Sequence, residues 1–135
     1  MKRYVLSVFI LILISSACSK IPPPVKNHLL KNSTFVYLYF ETEEECLENQ
    51  PYPDFFINCY QQLDFLEDNK IRLVLSDIIY DGNYKIESKN IKISMEPNSE
   101  IPSGELTFEF LNPNIIYNIE DKTYWKRVRG NSVWD

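Results

Sequence analysis

The chain has 135 residues, 44% hydrophobic and 24% charged, which is the size of one small domain. Its 14 Lys+Arg against 19 Asp+Glu give a formal charge of −5, which argues against the basic footprint of a nucleic-acid binder. Aromatic residues at 14% and only 3 Gly argue against a disordered or low-complexity chain, and 1 His with 3 Cys leaves few groups for metal binding or for acid–base chemistry at neutral pH.

The chain opens with Lys2 and Arg3, continues apolar from Val5 to Ile14 except at Ser7, and leaves that run through the small residues Ser15, Ser16 and Ala17. A basic start, a short apolar stretch and a small-residue exit read as a secretory signal peptide over residues 1–17. The apolar run is too short for a membrane-spanning helix, which needs roughly 20 residues. Ser15-Ser16-Ala17-Cys18 resembles the lipobox of bacterial lipoproteins, with Ser where that motif most often has Leu. The resemblance implies cleavage before Cys18, a diacylglycerol thioether on Cys18 and a further acyl group on the new amine. Two or more acyl chains give stable anchoring where one does not. The chain is then expected in the bacterial cell envelope, lipid-anchored and facing the periplasm or the surface, with the outer membrane favoured.

Removing 17 of the 135 residues leaves 118, and losing Lys2 and Arg3 moves the charge from −5 to −7. That net charge favours solubility and disfavours direct contact with anionic lipid headgroups. Residues 18–32 are expected to be the acylated Cys and a tether, because Ile21-Pro22-Pro23-Pro24-Val25 favours a stiff extended path. With Cys18 carrying lipid, Cys46 and Cys59 remain. Two cysteines in an oxidising compartment suggest one disulfide, with free thiols as the alternative. Closing that short loop is worth roughly 3 kcal/mol in the chain-entropy model. One His and no second Cys pair speak against zinc, and a redox C-x-x-C is absent.

From residue 33 on, the periodicity is two. Strands are expected over 35–40, 60–66, 70–75, 77–87, 91–95, 106–110, 115–119 and 123–128, separated by turns such as Glu67-Asp68-Asn69, Ser88-Lys89-Asn90 and Asn112-Pro113-Asn114. A single helical turn fits His28 to Lys31, and no other helical run is expected after the signal peptide. Alternation with one wet face marks antiparallel strands. Eight of them in sequence suggest an all-β meander that closes as a small barrel over 33–135, with a two-sheet sandwich as the alternative.

Several stretches carry a resemblance: Leu63-Asp64-Phe65 before an acidic turn, Asp81-Gly82-Asn83-Tyr84-Lys85-Ile86, Ile91-Lys92-Ile93, and the closing Tyr124-Trp125-Lys126-Arg127-Val128. Together they resemble the lipocalin-like small lipoproteins of Gram-negative bacteria. Lipocalins proper open on Gly-x-Trp, where this chain has Ser33-Thr34-Phe35-Val36. The resemblance implies a lipocalin-like eight-stranded barrel.

The alternation points Leu63, Phe65, Ile71, Leu73, Leu75, Tyr84, Ile86, Ile91, Ile93, Met95, Leu106, Phe108 and Phe110 inward. These line either a packed core or a calyx for a small apolar ligand, and large side chains favour the core. An acidic stretch, Glu41, Glu43, Glu44, Glu45, Glu48 and Asp54, surrounds a loop that carries Tyr52, Phe55 and Phe56. That loop is a candidate interaction surface, a solvated loop or a lid on one barrel end. Lys126, Arg127 and Arg129, with Trp125 and Trp134 nearby, are a weaker candidate for an anion or glycan site. No nucleophile–base pair, Gly-rich phosphate loop or metal-ligand spacing is evident, so no catalytic residue, metal or cofactor is assigned. The expected role is non-enzymatic binding of a small apolar molecule. The alternatives are a protein-interaction module, as in lysozyme-inhibitor-like envelope lipoproteins, and a structural envelope component. Oligomeric state is not legible.

Overall fold

The structure, a computed structural model, describes residues 24–135; Cys18, the signal peptide and the first part of the Pro-rich segment lie outside the described residues. Eight strands follow one another in chain order: β1 Ser33–Leu38, β2 Tyr60–Phe65, β3 Lys70–Leu75, β4 Ile78–Glu87, β5 Asn90–Met95, β6 Glu105–Asn112, β7 Ile115–Asn118 and β8 Thr123–Arg127. Each pairs antiparallel with the next. β8 returns to β1 through Phe35↔Arg127 and Val36↔Lys126, closing the barrel and leaving no sheet edge unpaired. The sandwich alternative is thereby excluded.

Short turns make the meander possible in a chain with few glycines. Asn69 (φ 57°), Ser76 (φ 50°), Ser88 (φ 59°) and Lys122 (φ 57°) adopt the left-handed conformation at or beside four of the reversals. Asn and Asp tolerate that region better than most residues. β6 and β7 change register between Phe110 and Asn112, so Leu111 is an extra residue that bulges outward and stays exposed.

The inward positions pack into one core. Leu63, Phe65, Ile71, Leu73, Leu75, Tyr84, Ile91, Ile93, Leu106 and Phe108 are buried, and Ile86, Met95 and Phe110 are half-buried against them. Phe35, Ile116 and Trp125 complete the cluster from β1, β7 and β8. Aromatic rings meet edge to face along the interior. Phe35 lies 5.8 Å from Phe65, Phe65 lies 5.0 Å from Tyr84, and Phe108 lies 5.3 Å from Trp125. The Trp125 indole N–H donates to Thr123 Oγ1 at 3.0 Å, so the largest buried side chain leaves no polar atom unmet.

The two ends of the barrel differ. Below, the chain before β1 crosses the opening instead of standing off from it. Val25 N–H donates to the Ser88 carbonyl at 3.0 Å, a 3-10 turn spans Asn27–Leu29, and Leu30 inserts fully buried into the core. Asn27 Nδ2 donates to Asn69 Oδ1 at 2.8 Å, and the Tyr84 hydroxyl donates to Asn27 Oδ1. Residues 24–32, assigned to a tether by sequence, therefore plug the lower end. Above lie the long β1–β2 connection, the β5–β6 loop and two short turns. The β1–β2 connection contains α1, Glu43–Glu48, which the sequence reading did not expect.

Candidate functional site

The interior is the first candidate. Leu63, Leu73, Ile93, Phe108, Ile116 and Trp125 are each under 2% exposed and occupy the middle of the barrel. Tyr84, the one inward polar group on which a ligand claim could lean, gives its hydroxyl to Asn27, and burial raises its pKa. Clefts of about 300 to 480 Å³ open to solvent at the ends and outer faces of the barrel. The side chains in the middle of the barrel are packed together, and a cleft of about 360 Å³ reaches Leu73 and Trp125 from the upper end.

The β1–β2 connection, residues 39–59, forms an arm at the upper end. α1 starts where Thr42 Oγ1 accepts the Glu45 amide at 3.1 Å, and Glu45 Oε2 accepts the Glu41 amide at 3.0 Å. This is close to a capping box, and Glu43, Glu44 and Glu45 in the first turn suit the positive end of the helix dipole. The signal was in the sequence as Thr42-x-x-Glu45, but a six-residue helix is too short to show periodicity. Cys46 on α1 bonds to Cys59 at the foot of β2, with the Cα atoms 5.9 Å apart. Gln50 ties the enclosed segment. Its Nε2 donates to the carbonyls of Cys46 (2.9 Å) and Ile57 (3.2 Å), and its Oε1 accepts the Ile57 amide at 2.7 Å.

The arm presents apolar groups outward. Tyr52 is 64% exposed, Phe55 59% and Phe56 55%, with Leu47 and Ile57 also exposed beside them. They do not lid the barrel. A short bridge between Tyr52 and Phe55 holds the tip. From Asn32 to Asn69 the chain contains no Lys, Arg or His, while the arm alone carries Glu41, Glu43, Glu44, Glu45, Glu48 and Asp54. None of these six takes part in an ion pair among the described residues. The four connections at the upper end, residues 39–59, 76–77, 96–104 and 119–122, hold eleven acidic side chains and one basic one, Lys122.

Two clefts lie at the upper end, the first against the arm. One, of about 380 Å³, lies between α1, the disulfide and the C-terminal tail, where the Trp134 ring meets Tyr60 edge on at 6.4 Å. The other, about 360 Å³, is the open mouth of the barrel beneath the β5–β6 loop. Sequence reasoning missed the mouth because Ile101 and Asn118 sit in or beside turns. Ile101 folds back onto the core, and the Asn118 side chain receives the amides of Glu120 and Asp121 at 3.0 and 3.2 Å.

At β8 the two arginines meet the same β6–β7 turn, and the two tryptophans lie apart from them. Trp125 points into the core, Trp134 lies on the tail, Arg127 Nη1 donates to the Pro113 carbonyl at 3.2 Å, and Arg129 donates to Asn114 Oδ1. His28 is exposed in the 3-10 turn below the barrel. Among the described residues, no group of three or more His, Cys, Asp or Glu is placed to hold a metal ion. Comparison with family models, with curated proteins and with solved structures returned no match.

Proposed function

We propose that this chain is a lipid-anchored envelope protein that works as a protein-interaction module and recognises a basic partner through the upper end of its barrel. The observation that supports this reading is the arm. Tyr52, Phe55 and Phe56 stand exposed on a segment tied down by the Cys46–Cys59 bond and free of any cation. Tying an aromatic patch down lowers the entropy lost when a partner binds, and aromatic side chains dominate many interfaces. An unpaired acidic surround speeds encounter with a basic protein and disfavours acidic ones. The filled interior turns the reading away from an apolar cargo and toward the outside surface.

The lipid anchor rests on Ser15-Ser16-Ala17-Cys18, and replacing Cys18→Ala is expected to shift the protein out of the membrane fraction. Unchanged fractionation would remove the anchor from the account. The partner is tested by placing a photo-crosslinking amino acid at Tyr52, Phe55 or Phe56 in cells, with Lys92 on the barrel wall as control. Discrete adducts to a basic protein from the arm and none from position 92 are expected. Equal adducts from both places, or none from the arm, would contradict the reading.

A further inference from the structure

The barrel mouth adds a second element to this surface. Its floor is apolar, made by Leu75, Leu106 and the buried Trp125, with Ile101 as one wall. Its rim carries Glu100, Glu105, Glu120 and Asp121, and no basic side chain lines it. Three of the four rim carboxylates are held by neutral donors, while the charge of Glu105 is felt by Lys85. Glu100 accepts the Tyr80 hydroxyl at 2.8 Å, Glu120 accepts the Thr107 amide at 3.0 and 3.1 Å, and Asp121 accepts Asn118 Nδ2 at 3.0 Å. None of the four is in an ion pair among the described residues. The β5–β6 loop is firm. Asn98 Oδ1 accepts the amides of Glu100 (3.0 Å) and Ile101 (2.8 Å), and the Gly104 carbonyl accepts the Met95 amide at 2.8 Å.

We propose that this apolar-floored mouth is a socket for one lysine or arginine side chain of the partner. The aliphatic stem would lie on Leu75, Leu106 and Trp125, and the charged head would meet the rim carboxylates. Long basic side chains partition in this way, with the stem on apolar surface and the head among polar groups. A volume of about 360 Å³ is at the lower end of ligand sites, which suits a side chain better than a whole cofactor. The cation is favoured over an apolar group because its neighbours are acidic and none of them is in an ion pair among the described residues.

This inference rests on the basic-partner reading, so the test separates the two. The probe is a hexalysine peptide titrated into the mature protein at low salt, followed by its affinity and by the NMR signal of the Trp125 indole N–H. Two variants remove the same charge: Glu100→Gln with Glu105→Gln at the mouth, and Glu43→Gln with Glu44→Gln on the arm. Gln at 100 can still accept the Tyr80 hydroxyl, so the loop should stay in place. Wild type should bind with a shift at Trp125, and the mouth variant should lose about tenfold in affinity, several times more than the arm variant. Equal losses, or a Trp125 signal that does not move, would overturn the socket while leaving recognition of basic partners standing. No binding of hexalysine to wild type would overturn the socket and count against the basic-partner reading as well.

Discussion

Gly104 shows how one residue holds the upper end together. Its φ is +67°, and a Cβ added there would lie 2.5 Å from the Met95 carbonyl oxygen. An alanine must therefore shift backbone as well as adopt an unfavourable conformation, a cost of about 1–3 kcal/mol. Gly104→Ala is expected to lower the melting temperature by several degrees and to loosen residues 96–104 in hydrogen exchange; an unchanged melting curve would contradict this geometry. Glu87 makes a different prediction. Lys85 and Lys92 both donate to its carboxylate, at 2.7 and 2.6 Å, and hold its pKa down from the ordinary 4.5 to about 2. A carboxylate with a lowered folded-state pKa stabilises the fold above its unfolded value, and that contribution disappears as pH falls from about 4.5 through about 2. Acid unfolding curves of wild type and Glu87→Gln should therefore converge below that window, and the Glu87 carboxyl should titrate near 2 by NMR. At this scale the inward face was legible, because a period of two needs only residue types. The destination of Trp125 was not. Its neighbours Lys126 and Arg127 read as a surface strand end, yet the alternation of β8 turns Trp125 to the core.

The elements follow from alternation and turn chemistry, and their order could be read because each reversal is short. α1 was missed for the opposite reason. It is defined by its cap at Thr42 and its bond to β2, both local features with no repeat. The lower plug was missed because Leu30 is a single apolar residue after a Pro-rich stretch, and only the closed barrel shows where it goes. The arm depends on the Cys46–Cys59 bond more than the barrel does, since its outward aromatics gain little from burial. Replacing Cys46→Ser is expected to cost about 3 kcal/mol, roughly 13 °C in melting temperature, with hydrogen exchange rising first over residues 41–57. Identical melting of oxidised and reduced protein would show that the bond contributes nothing to stability.

At the scale of the molecule, the net charge conceals a polarity. The upper connections hold eleven acids against Lys122, while Lys26, Lys31 and Lys89 stand among the lower connections with Glu67 and Asp68. The plugged lower end is also where the described chain leads back toward Cys18. If the chain is anchored there, the acidic arm and mouth point away from the membrane and toward a partner. The sum of charges was available from composition, but its separation into two ends required the strand order. Closure itself was expected from eight successive strands, and the large inward side chains already favoured a filled axis; the plug was not expected, because residues 24–32 read as part of a tether. The filled axis is the claim on which the functional reading turns, and native mass spectrometry of the mature protein tests it most directly. The account predicts the same mass under native and denaturing conditions. An additional mass of a few hundred daltons, bound natively and lost on unfolding, would mean that the barrel carries a ligand and would contradict it.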